Sequence, residues 1–166
     1  MPATVSPELL ALLRPTAFII APSAPTVAPG GRSTVQTIPM MESGWMLHVR
    51  PVLRISGGGT QDQYRDAEAQ LALRVRMNQE ELFNDQQSGK FAPVRTFIEL
   101  PEAFCLARRL ERGDVIAIEW QNSSGALTLI PELVLGWTPD RQLADVLPDA
   151  GGRFISDRSG RIVGAR

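Results

Sequence analysis

The sequence predicts an all-β protein: a single antiparallel β-sandwich, jelly-roll-like domain with an extended arm at each end. Three observations carry that expectation. Short apolar runs alternate at period two and are separated by Pro- and Gly-rich turns, the pattern of a sandwich or barrel. Glycine at 14 residues and proline at 13 favour a turn-rich chain over a helical bundle. The strand pattern begins at Thr16 and thins after Pro139. The chain therefore divides into an N-terminal arm (1–15), a sandwich domain (16–139) and a C-terminal arm (140–166).

The N-terminal arm places Pro2, Pro7 and Pro15 around one helical turn, Pro7 to Leu13, with Ser6 as its N-cap. A helix that short is marginal unless its leucines pack on something. Leu9, Leu10 and Leu13 are accordingly expected to be assembly contacts. Thr16 to Ile20 reads as the first strand, and Ser33 to Ile38, with Val35 in its alternation, as the second, across the Pro29-Gly30 turn signal.

Trp45 to Ile55 is the clearest strand. Trp45, Leu47, Val49, Leu53 and Ile55 share one face at period two, and His48, Arg50 and Arg54 the other. Pro51 cannot donate to a ladder, so the strand lies at an edge or bulges there. Residues 62–83 carry two signals. Asp62 to Phe83 is rich in helix formers and would align Tyr64, Leu71, Val75 and Leu82 on one stripe. Ala69, Leu71, Leu73, Val75 and Met77 also alternate with Gln70, Arg74 and Arg76, and a strand over 69–78 is the preferred reading, with the helix left open.

Asn84 to Pro93 reads as a polar loop and Arg95 to Leu100 as a strand. Arg112-Gly113-Asp114 is a turn delivering the chain into Val115 to Trp120. After a polar turn, Leu127 to Trp137 is a second long strand, with Pro131 marking another bulge or edge. In the C-terminal arm, Arg141 to Leu147 offers a short helix. Phe154-Ile155 and Ile162-Val163 flank a segment that reads as a hairpin or an extended tail. Phe154, Ile155, Ile162 and Val163, interleaved with Arg158 and Arg161, need burial and are expected to contact a protein neighbour.

Composition bounds the function. A net charge of -1 gives no general attraction to nucleic acid or an anionic membrane, so nucleic acid is an unlikely partner. No apolar run approaches the roughly 18 residues of a membrane span, and residues 9–13 are too short for the core of a secretory signal. Cys105 is the single cysteine, so the fold rests on its core without an internal disulfide, as suits a reducing cytoplasm.

The chemistry-bearing residues read as structural, and no enzyme, cofactor or metal site is expected. His48 is the only histidine, lies mid-strand, and would have to serve any Ser-His or Cys-His pair. One His and one Cys make no ordinary zinc site. The carboxylates Glu80, Glu81 and Asp85, and Asp62 with Asp66, lack calcium-loop spacing. Gly57-Gly58-Gly59-Thr60 lacks the lysine of a phosphate loop, since the only lysine is Lys90. Two alternatives remain. Trp45, Trp120 and Trp137 would line a glycan- or receptor-binding groove if exposed. Glu99, Glu119 and Glu132 are the carboxylates from which a glycosidase pair would be drawn.

One stretch carries a resemblance. Phe97-Ile98-Glu99-Leu100-Pro101 is followed by Leu110 to Asp114, then by Val115-Ile116-Ala117-Ile118-Glu119-Trp120-Gln121-Asn122, then by Leu127 to Gly136. A strand ending in Pro, a Gly-Asp turn, an Asp-Val-Ile-x-Ile-Glu-x-x-Asn strand and a closing strand ending in Gly resemble small β-sandwich virion proteins of tailed bacteriophages. The likeness covers roughly residues 16–137 and is architectural, so no functional residue carries over. It implies a capsid decoration, head-tail or tail component, with decoration favoured. Its partners would be other virion proteins and copies of itself, and it would be assembled in the host cytoplasm.

Overall fold

The computed structural model describes residues 17–21, 24–82, 91–99, 108–142, 155–156 and 162–163. In chain order the elements are β1 (Ala17–Ile20), β2 (Gln36–Pro39), β3 (Gly44–Ile55), α1 (Gln61–Gln70), β4 (Leu71–Met77), β5 (Glu80–Glu81) and β6 (Ala92–Pro93). They continue with α2 (Val94–Glu99), β7 (Arg108–Leu110), β8 (Val115–Asn122), β9 (Leu129–Pro139), β10 (Ile155–Ser156) and β11 (Ile162–Val163).

Two antiparallel sheets pack face to face as an all-β sandwich. The first has the order β1-β9-β3-β7 and the second β2-β8-β4-β5, with β6 also paired to β4. Alternation along each long strand decides what each sheet buries. From the first sheet, Met46, Val49, Leu129, Leu133 and Leu135 point inward, and from the second Leu71, Leu73, Val75, Ile116, Ile118 and Trp120. Leu73 stands opposite Trp120 and Val75 opposite Ile118 in the β4–β8 register. All four are fully buried, so a one-residue slip would expose the entire set.

The two prolines flagged by the sequence occupy gaps in the ladders. Leu129 and Leu133 bond outward from β9, to Val27 and Ala21. Pro131, two residues from each, therefore turns its nitrogen into the interval between those bonds. Pro51 stands opposite Leu133, so its nitrogen points away from β9, toward the margin of β3 beyond β7, which pairs only Gly44, Trp45 and Met46. Neither ladder loses a bond to its proline.

Four expectations are corrected. A bulge between Met46 and His48 reverses the facing of β3, so Met46 rather than Trp45 joins Val49 in the core. Residues 69–78 are not all strand: a helix runs to Gln70 and the strand begins at Leu71. Thr60 caps that helix with a capping box, accepting from the Gln63 N–H at 3.3 Å while its own N–H donates to the Gln63 side chain at 2.8 Å. Arg95 to Leu100 is not a strand. Val94–Glu99 forms a helical turn whose Val94 and Phe97, three apart, are buried together, and packing overrides β-branched propensity. Val35, assigned to an alternating strand, lies before β2 and is 46% exposed.

Of the expected assembly contacts, Leu9, Leu10, Leu13, Phe154, Arg158 and Arg161 lie outside the described residues. Ile155 pairs with Val163, and Ser156 with Ile162, as an antiparallel hairpin, one of the two forms expected there. The expected helical turns at Pro7 to Leu13 and over 143–147 also lie outside them, and Asp140–Gln142 forms a 3-10 turn.

Candidate functional site

The outer face of the first sheet is where the sandwich presents unburied apolar surface. With the core residues turned in, β1 presents Phe18 and Ile20, β9 presents Ile130, Glu132, Val134 and Gly136, and β3 presents His48, Arg50, Val52 and Arg54. Register aligns them in rows: Phe18, Gly136 and His48; then Ile20, Val134 and Arg50; then Glu132 with Val52; then Ile130 with Arg54. Phe18 is 65% exposed, Ile20 57% and Val52 39%. Ile98 of α2, 48% exposed, borders the same ground.

Together they enclose an open hollow of about 750 Å³ lined by Phe18, His48, Arg50, Val52, Ile98 and Val134, among others. Gly136 contributes no side chain between Phe18 and His48, and the floor dips there. Burial in the hollow pushes the His48 imidazole below its ordinary pKa, because desolvation favours the neutral form. The lining offers apolar walls and two nitrogen-bearing side chains. A protein surface with an apolar centre and a polar border fits that description.

The other candidates fall elsewhere. Glu119 faces outward from the second sheet, where Arg74 bonds it at 3.3 Å and holds Glu81 at 2.5 Å. Glu132 faces outward from the first. The core separates these two carboxylates, whereas a glycosidase pair sits roughly 5–9.5 Å apart across one cleft. The side chain of Glu99 lies outside the described residues. Trp120 is fully buried and Trp137 is 9% exposed. Trp45 is half-buried, with the Arg109 guanidinium 5.6 Å above its ring. The three tryptophans form no common groove.

Gly57 and Gly58 take positive φ of 81° and 84° in the turn after β3, and a helix does begin just beyond, as a phosphate loop requires. Thr60 stands directly after the last glycine, where a lysine would be needed, and spends its hydroxyl capping that helix. Glu80 pairs with Arg108 and Glu81 with Arg74, while Asp85 and Cys105 lie outside the described residues. Among the described residues no group of three His, Cys, Asp or Glu side chains is placed to hold a metal ion, and no helix is long and apolar enough to cross a membrane.

Arg112-Gly113-Asp114 is a tight turn, with Gly113 at φ 96°. The Asp114 carboxylate accepts from the Glu111 backbone at 2.7 Å and from the Asn78 amide at 2.6 Å. Sequence reasoning missed the outer face because it read Thr16 to Ile20 as a strand without deciding which of its residues turn outward. A four-residue apolar strand gives no signal for that choice.

No protein-family model matches the chain, and no curated protein or solved structure is significantly similar to it.

Proposed function

We propose that this chain is a non-enzymatic structural protein of a tailed-bacteriophage particle, a sandwich that packs on neighbouring capsid or tail subunits, with decoration of the shell the favoured role. The observation that supports this reading is the outer face of the first sheet. Phe18 and Ile20 project into solvent from adjacent outward positions of one strand, and contiguous exposed apolar surface marks a contact site. The architectural likeness of residues 16–137 to virion sandwiches supplies the setting. The arms, with Leu9, Leu10 and Leu13 at one end and Ile162 and Val163 at the other, are the second expected means of contact.

The test is incorporation. Particles purified from a host carrying the gene are expected to contain the chain in a fixed ratio to the shell protein, with Phe18→Asp or Ile20→Asp reducing that ratio at least ~10-fold. Particles that never contain it, or contain both variants at the wild-type ratio, would sink the proposal.

A further inference from the structure

The same face carries charges of both signs that the fold leaves uncommitted. Arg50 and Arg54 are exposed and Glu132 is half-buried. Several outward charges elsewhere in the sandwich are instead paired. Arg74 holds Glu81 and Glu119, Arg108 holds Glu80, and Arg109 holds Glu111 and Asp140. Among the described residues, Arg50, Arg54 and Glu132 have no ion-pair partner. Glu132 stands opposite Val52, midway between the two arginines along β3, and all three border the apolar ground of Ile20, Val52 and Val134.

A surface with an apolar lane, two cations and one anion is complementary to itself. Under a two-fold axis lying in the interface, residue i of one copy meets residue j of the other and j meets i. One such axis near the Val52–Glu132 row sets each Glu132 against an arginine of the opposing copy while the two apolar lanes cover each other. A partner of one charge sign would satisfy the arginines or the glutamate, but not both.

We infer that the outer face of the β1-β9-β3 sheet is the contact between two copies of this chain, closed by apolar packing and by reciprocal Glu132–arginine pairs. The inference rests on the assembly reading and names its first partner. Charges bordering a contact set its register and its encounter rate more than its strength, so the apolar lane supplies the affinity and the charges the orientation.

Sedimentation velocity of the full-length chain across a wide concentration range tests it, with circular dichroism to confirm that each variant is folded. The wild type is expected to dimerise. Val134→Asp is expected to weaken the dimer at least ~10-fold. Glu132→Arg and the double substitution Arg50→Glu with Arg54→Glu are each expected to weaken it about 3- to 10-fold. All three charge reversals together are expected to recover most of the loss, a coupling that mere destabilisation does not produce. A chain that stays monomeric to ~1 mM overturns the inference, as does a dimer indifferent to Val134→Asp or charge reversals that do not compensate. A monomeric chain still incorporated into particles would defeat this inference and leave the assembly reading standing; a dimer never found in particles would do the opposite.

Discussion

The side-chain amide of Asn122 donates to the backbone carbonyl of Val27 at 3.1 Å, joining positions 95 apart in the chain. The same nitrogen donates to the carbonyls of Ala28 at 3.2 Å and Leu127 at 2.8 Å, and the side-chain oxygen accepts from the Ser124 N–H at 2.9 Å. Asn122 is fully buried and pins the loop after Val27 to the turn between β8 and β9.

Replacement of Asn122 separates two costs. Each of the three carbonyls has another donor: Leu129 for Val27, Gly31 for Ala28 and the Ser124 hydroxyl for Leu127. Asn122→Ala therefore strands only the Ser124 N–H and leaves a small void, at about 2–3 kcal/mol. Asn122→Asp sets a carboxylate against three carbonyl oxygens and is expected to cost more. Urea unfolding measures both, and an aspartate variant as stable as the alanine variant would refute this account.

Gly44 marks the closest approach in the first sheet, paired with Leu110 on one side and Pro139 on the other. A Cβ there would lie 2.5 Å from the Thr138 carbonyl oxygen and 2.9 Å from the Pro139 Cα. Both are backbone atoms that cannot turn aside. Gly44→Ala is expected to destabilise by about 1–3 kcal/mol. Gly125→Ala, whose Cβ meets nothing within 4 Å, is expected to change the urea midpoint little.

Arg74 fastens the outer face of the second sheet. Its guanidinium donates to both Glu81 oxygens and to Glu119, and lies 5.9 Å from the Phe91 ring centre. Bonding to Glu81 raises its pKa further above the arginine range. Arg74→Met leaves two neighbouring carboxylates without their cation, and is expected to cost about 1–3 kcal/mol. Arg74→Lys keeps the charge but loses the fork, so an intermediate loss is expected. Equal stability of the arginine, lysine and methionine forms would show that the cluster contributes nothing.

Acid is expected to act in two windows. Burial lowers the folded pKa of His48 from 6.5, so between that lowered value and 6.5 the unfolded chain binds more protons than the folded one. Stability then rises with pH across the window and is lost on descending through it. Hydrogen bonds from Arg109, then Ser43, hold the Glu111 pKa below its usual 4.5. Its contribution is present above pH 4.5 and is lost as the pH falls through the folded value. His48 is half-buried and Glu111 exposed, so both slopes are shallow. His48→Gln should flatten only the upper window and Glu111→Gln only the lower, read from urea midpoints against pH.

The long strands were legible because each has one face in the core and one in solvent. Ile116, Ile118 and Trp120, and Leu129, Leu133 and Leu135, write period two directly into the sequence. Residues 61–77 were misjudged because two sound signals occupy adjoining stretches: helix propensity holds up to Gln70 and alternation takes over at Leu71. Thr60 and Gln63 form the capping box that separates them, and it is readable after the three glycines. The bulge at Met46–His48 left no trace, because a shift of one residue changes parity without changing composition. Nor did the outward facing of Phe18 and Ile20, since a four-residue apolar strand reads alike whichever side it turns to the core. The second sheet's ion cluster was half visible: Arg74 and Glu119 fell on polar faces, but only their pairing register brings them together.

Pro51 bears on whether the first sheet can grow by adding strands. Growth by adding strands at a margin is open-ended, because every new strand offers another margin like the last. Beyond β7, along the side of β3 that no other described strand pairs, the backbone groups of residues 49, 51 and 53 point away from β9, and the middle one is Pro51, which has no hydrogen to give. That margin is a poor template for the next strand. Contact across a face has no such recurrence, since a covered face is used up. Growth strand by strand is thereby disfavoured at that margin, and contact across a face is the route the first sheet leaves open.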